Sequence, residues 1–218
     1  DYEGATSDPQ NLTCCSYDNL KSTKIALDKA NIPVKYLQMD DWWYAGLHPQ
    51  EFNLGGWGGV KGVKHWEPPI EWYPGGLKEL SQELDLGLLL YGPYFTPDND
   101  WINEYSFIPE YSGYVLPSPD DSYSFYSSLF DFGMNASTNM IGYEVDFMSC
   151  LSQTPLFRTQ INSLQKWLNG MNTAAKERGI IIQYCMAIPN NLFASLGLEM
   201  VTNGRASNDY ASANNWDI

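Results

Sequence analysis

Five acidic residues and one arginine in this chain have the types and spacing that chemistry needs. Asp146 ends the apolar run of "IGYEVDFMSC" (141–150), and Glu144 lies two residues before it. Asp40 and Asp41 adjoin in "MDDWWY", and "NGRASNDY" places Arg205 four residues ahead of Asp209. Two carboxylates carried on different strand ends suit glycoside cleavage. One attacks or stabilises the anomeric carbon, and the other protonates the leaving oxygen. Asp146 and Asp209 are the natural pair, with the Arg205 guanidinium placed to hold a sugar hydroxyl or tune the acid. Taken singly, each acid reads equally well as a loop charge or a helix cap.

The pair at Asp40 and Asp41 suits bidentate hydrogen bonding to vicinal hydroxyls, and the flat indoles of Trp42 and Trp43 suit the apolar face of a pyranose. Trp57, Trp66, Trp72 and Trp101 fall in long loops, where a sugar-stacking role is expected over core packing. His48 and His65 have no Cys or His partner at ligand spacing, so no metal site and no cofactor are expected. Acyl transfer has no support, because no G-x-S-x-G occurs.

Positioning these residues falls to alternating helices and strands. "SYDNLKSTKIALDKANI" reads as a helix on Leu20, Ile25 and Leu27, and "VKYLQM" as a buried strand ending at Asp40. "PGGLKELSQELDLG" reads as a short helix closed by Gly87, leading into the apolar strand "LGLLLYGPYF". "DSYSFYSSLFDFGMNAS" is expected to be helical, and "MIGYEVDFM" the next strand. "PLFRTQINSLQKWLNGMNTAAKERG" reads as one long helix with Leu156, Ile161, Leu164, Trp167, Leu168 and Met171 on one face. "IIIQYCMA" and "LEMVTNG" complete five strands, with a short helix over "NNLFASLG" between them. Strands apolar on both faces, alternating with helices, imply a parallel α/β sheet. An open doubly wound sheet and a (β/α)8 TIM-type barrel both fit. No Gly-rich phosphate turn follows the first strand, and the acids gather at C-terminal strand ends, which favours the barrel. Five strands do not close one. The expectation is a partial barrel over residues 1–218, lacking one strand before Asp1 and two after Ile218.

A formal charge of −14 with only 12 basic residues argues against nucleic acid or an anionic membrane surface as partner. No stretch reaches the ~20 apolar residues of a membrane span. With 44% hydrophobic residues the chain can bury a sizeable core. Sequons at Asn11 and Asn135, a low pI and four cysteines (Cys14, Cys15, Cys150 and Cys185) favour a secretory route with disulfides. Any signal peptide is expected to have been removed or to lie outside these residues.

In order and content these motifs resemble the catalytic barrel of glycoside hydrolases of the α-galactosidase and raffinose-synthase type, the clan of families 27, 31 and 36. "YLQMDDWWY" resembles the second strand of that barrel, and "WYPGGLKELSQELDLGLLLYGPYF" its Pro-Gly-Gly-Leu-Lys segment, helix and third strand. "IGYEVDFM" is similar to the fourth strand, "IIQYCMA" to the fifth, and "GRASNDY" to the Arg-Ala-Ser-Asp-Asp-Phe run of the sixth. The resemblance implies that Asp146 is the nucleophile and Asp209 the general acid/base. It also implies that Asp40 and Asp41 bind the glycone and that Arg205 contacts the sugar. Retention of configuration would place the two carboxyls roughly 5–5.5 Å apart. The chain departs from the pattern at Glu144, where many members carry a lysine that binds glycone hydroxyls. Strand alternation puts Glu144 on the face of Asp146, which raises at least one pKa and leaves open a different hydroxyl pattern or a cationic sugar. The expected partner is a carbohydrate substrate, with other segments or chains completing the barrel. The alternative is a barrel that binds or displays glycans without turnover.

Overall fold

The computed structural model describes residues 16–47, 62–70, 72–92, 94–110, 113–137 and 139–205. In chain order the elements begin with α1 (Tyr17–Lys29), β1 (Tyr36–Met39), β2 (Ala45–Leu47) and β3 (Gly62–His65). Next come α2 (Gly76–Leu84), β4 (Gly87–Tyr91), β5 (Phe107–Pro109), β6 (Val115–Pro117), α3 (Ser122–Ser137) and β7 (Met140–Val145). A 3-10 helix (Met148–Gln153), α4 (Pro155–Thr159), α5 (Ser163–Arg178), β8 (Ile181–Tyr184), α6 (Pro189–Ala194) and β9 (Val201–Gly204) complete the order.

The five runs expected to be strands are β1, β4, β7, β8 and β9, although β1, expected to be buried, begins exposed and β9 is largely exposed. They form one sheet in the order β1-β4-β7-β8-β9, every pair parallel. Each crossover contains a helix, as parallel neighbours require. The sheet is open among the described residues, consistent with part of a TIM-type barrel. Two short antiparallel hairpins, β2-β3 and β5-β6, occupy segments that read as loops. Their three- and four-residue strands are too short to carry a periodic signal.

Leu77, Leu80 and Leu84 repeat at helical spacing and seat α2 in the core. That helix closes on Asp85, which adopts a left-handed φ of 51°, rather than on Gly87. Gly87 instead opens β4, where a Cβ would come 2.6 Å from Ile141 Cγ2. The expected long helix over 155–178 is two helices. Asn162, at φ 66°, breaks it, and Ile161 turns out to solvent at 92% exposure. Trp167, Leu168 and Met171 are buried as the pattern required. Helix α5 lies close against α3 because position 170 is glycine. A Cβ there would fall 2.7 Å from both Ser122 Oγ and the Tyr123 nitrogen.

Alternation along the strands gives the sheet two chemically different faces. Tyr143 of β7 packs edge-on against Tyr126 and Phe130 of α3, and its hydroxyl donates to the Gly92 carbonyl at 2.7 Å. Burying each such ring contributes about 1.5–3 kcal/mol. On the other face stand Gln38, Tyr91, Glu144 and Gln183, and that face carries the site.

Candidate active site

Asp146 directly follows the last residue of β7, the middle strand of the sheet, and is 9% exposed. The backbone around it is over-determined. Cys185 donates its N–H to the Val145 carbonyl at 2.9 Å, and Arg205 donates its own to the Tyr184 carbonyl at 2.9 Å. Two further bonds, Met148 N–H to the Cys185 carbonyl and Ser149 N–H to the Met186 carbonyl, join the turns that follow β7 and β8. Within those turns Phe147 (φ 54°) and Met186 (φ 51°) are both left-handed. Bulky residues pay on the order of 1–3 kcal/mol for that conformation, which persists where surrounding structure enforces it and clusters at functional sites.

Three donors converge on the Asp146 carboxylate. The Phe147 N–H donates to Oδ1 at 2.6 Å, the Tyr91 hydroxyl donates to Oδ2 at 3.0 Å, and the Cys185 thiol supplies a third bond. Burial raises the Asp146 pKa above the ordinary carboxylate value, while these donors and the Arg205 charge pull it back. Burial also pushes the Tyr91 hydroxyl and the Cys185 thiol well above their usual ranges, so both remain protonated donors. Tyr44 is stacked on Tyr91 with ring planes 10° apart and fixes the ring that reaches Asp146.

Glu144 sits beneath, 3% exposed. Gln38 Nε2 donates to its Oε2 at 2.5 Å, and the Gln183 amide also bonds it. Desolvation is the main reason its pKa rises to about 7. The charges of Asp40 and Asp146 add to that, against the Gln183 bond and Arg205.

The structure therefore brings Asp146, Glu144, Asp40 and Arg205 to one end of the sheet. Asp40 and Asp41 lie half-buried in the turn after β1, where Asp40 Oδ1 accepts the Asp41 N–H at 2.7 Å. Trp42 is half-buried beside them. Trp43 departs from expectation: it is 0% exposed, packed edge-on against Trp66 and Tyr44, with no face for a ligand. Trp66 and Trp101 are likewise buried in the core rather than exposed for stacking. Trp72 is half-buried, and Trp57 lies outside the described residues. So do Asp209, Asn11, Cys14 and Cys15. Cys150 and Cys185 are free buried thiols, so no disulfide forms among the described residues and the expected pairing finds no support there. Asn135 is exposed on the last turn of α3, whereas Ser137 of its sequon is buried and donates to the Gly133 carbonyl. No group of His, Cys, Asp and Glu among the described residues is arranged to hold a metal. No helix among them is long and apolar enough to cross a membrane.

Tyr44, Tyr91, Gln38, Gln183 and Cys185 were not among the expected site residues. Their signal in the sequence is faint: one polar or hydroxylated residue within or just after each apolar run.

No protein-family profile matches the chain, and no curated protein sequence matches it. Solved structures do. The alpha-N-acetylgalactosaminidase NagBb from Bifidobacterium bifidum, ligand free, matches with a TM-score of 0.51 at 11% identity over 82% of this chain and 32% of that one. Its GalNAc complex matches with a TM-score of 0.50 at 11% identity, over 82% and 31%. The chain thus spans about a third of the length of the structures it matches. At this identity the likeness concerns the fold alone, a parallel α/β sheet with helices shared with part of those chains.

Proposed function

We propose that this chain carries much of the active site of a retaining glycosidase or transglycosylase acting on terminal α-linked sugars of the galactose type. The observation that supports it is the setting of Asp146. A buried carboxylate ends the middle strand of a parallel sheet, gripped by Phe147 N–H, the Tyr91 hydroxyl and the Cys185 thiol. A nucleophile must be ionised and aimed, and these donors serve both needs. Asp146 attacks the anomeric carbon, and the glycosidic bond breaks as the Asp209 carboxylic acid protonates the departing oxygen. Asp209 as carboxylate then takes a proton from the incoming water or alcohol, whose oxygen displaces Asp146. Asp40 and Asp41 hold glycone hydroxyls, with Trp42 beside them, and Arg205 contacts the sugar near Asp209. An acidic, sequon-bearing chain of this kind fits a secreted or vacuole-like setting.

The test is hydrolysis of aryl α-glycosides by the full-length protein and by Asp146→Asn. The variant is expected to fall by on the order of 1,000-fold or more; equal rates sink the assignment. A second reading, glycan binding without turnover, is favoured by Glu144, which places a second carboxyl where many members of the resembled family carry a lysine. A covalent adduct on Asp146 after treatment with a mechanism-based glycosyl inhibitor rules it out.

A further inference from the structure

The interior of a TIM-type barrel is ordinarily filled by layers of apolar side chains. Here four of the five strands place a polar side chain on the face below Asp146, and hydrogen bonds join the four. Asn203 of β9 donates through Nδ2 to Gln183 Oε1 at 2.8 Å. Gln183 of β8 donates through Nε2 to Gln38 Oε1 at 3.1 Å, and Gln38 of β1 donates through Nε2 to Glu144 at 2.5 Å. Every donation runs one way, from the exposed edge strand towards the buried carboxyl. A chain of amides aligned in this sense ends with N–H groups aimed at Glu144, which favours its charged form.

Other groups facing Glu144 pull both ways. Asp40 at the end of β1 and Asp146 above it oppose a second negative charge, whereas Arg205 beyond β9 favours it. Asp41 follows Asp40 in the same turn. Tyr91 of β4 and Cys185 of β8 stay neutral and bond Asp146 instead. Among the described residues the hydrogen-bond partners of Glu144, Gln38 and Gln183, are both amides. Its pKa of about 7 reflects this balance.

We propose that Glu144 is a positioning residue for Asp146, held beneath it by a one-way ladder of side-chain amides. The ladder fixes when the pocket floor carries one negative charge and when it carries two. This rests on reading Asp146 as the nucleophile. Below the changeover Asp146 is the charged member of the pair and Glu144 a neutral hydrogen-bonding acid. Above it, a second charge raises the basicity of Asp146 and stabilises the positive charge that develops on the sugar.

Two readouts test the idea, one of them independent of turnover. In the full-length protein labelled with 13C at its carboxyls, the Glu144 resonance should titrate near neutrality. Gln38→Leu removes one of the two amide donors to Glu144 and should move that titration upward by roughly one pH unit. Asn203→Ala, at the exposed end, should move it the same way by less, and serves if the Gln38 variant does not fold. In kcat/KM for an aryl α-glycoside, the wild type should show an inflection at the Glu144 titration. Glu144→Gln, a permanent mimic of the protonated acid, should lose that inflection while keeping the lower one from Asp146. Titration of Glu144 in the ordinary carboxylate range overturns the proposal, as does indifference to the ladder variants. So does an inflection near neutrality that survives in Glu144→Gln, which would belong to Asp209. A protein that turns over no glycoside yet shows the ladder shifts overturns the glycosidase reading and leaves the coupling standing.

Discussion

Glu144→Gln should change how stability depends on pH, by an amount the structure sets. Folding raises the Glu144 pKa from 4.5 to about 7, chiefly by burial at 3% exposure. The folded protein therefore holds a proton that the unfolded chain has already released, so stability falls as pH rises through that window. The contribution is fully present below about pH 4.5 and gone above about pH 7. A shift of about 2.5 units at about 1.4 kcal/mol each corresponds to ~3 kcal/mol. Glutamine has no proton to lose and keeps its oxygen as an acceptor for Gln38. Its extra amide donors impose a cost that does not vary with pH, so it cancels when the difference between variants is followed. Urea unfolding of both full-length proteins from pH 4 to pH 8.5 gives that difference directly. The variant should gain ~3 kcal/mol on the wild type across the window, with almost all of the change between pH 4.5 and 7.5. A difference that stays flat with pH refutes the reasoning, because it means that Glu144 ionises alike in the folded and unfolded states.

Tyr91→Phe removes one of the three donors to Asp146 without changing the buried ring. It should raise the pH of the acid inflection and lower kcat/KM roughly 10–100-fold, read from the pH–rate profile. Gly170→Ala gains helix propensity of up to about 1 kcal/mol but drives a methyl against Ser122 and the Tyr123 backbone. A net loss of about 1–2 kcal/mol in thermal or urea unfolding is expected.

The sheet was legible because its strands read as short, largely apolar runs between helices. "LGLLLYGPYF" and "IIIQYCMA" admit few other readings once helices flank them. The break at Asn162 was not legible. Apolar residues continue at helical spacing through Ile161, and only the positive φ of Asn162 and the 92% exposure of Ile161 show that the pattern there is accidental. The tryptophans misled for a different reason. Glycine-rich surroundings read as an open loop, but Trp43, Trp66 and Trp101 are buried in the core. Trp66 donates its indole N–H to the Tyr91 carbonyl at 3.0 Å, which ties its segment to β4. Of the site, the acids could be seen and their support could not. Gln38, Gln183 and Asn203 occur singly in three different strands, and only side-chain hydrogen bonds across one face of the folded sheet join them.

The fold also changes what the aromatic residues after Asp41 do. Trp43 was expected to act from the substrate side, yet it and the neighbouring Tyr44 are buried. Trp43 packs on Tyr44, Tyr44 is stacked on Tyr91, and Tyr91 donates to Asp146. Aromatic rings have few rotatable bonds, so a chain of three holds the hydroxyl in place at little further entropic cost. Asp146 is thus oriented by the ring stack and from below by the hydrogen-bonded face that holds Glu144. Both supports rest on strands or on the turn leaving one, rather than on mobile loops. Asp40 and Asp41 lie in the same short turn that leads into the ring stack, so the residues proposed to hold the sugar and those that orient Asp146, the proposed nucleophile, share one turn. A substitution that displaces the turn should therefore affect binding and turnover together, whereas one in the amide ladder should alter the pH dependence and leave sugar binding at low pH intact.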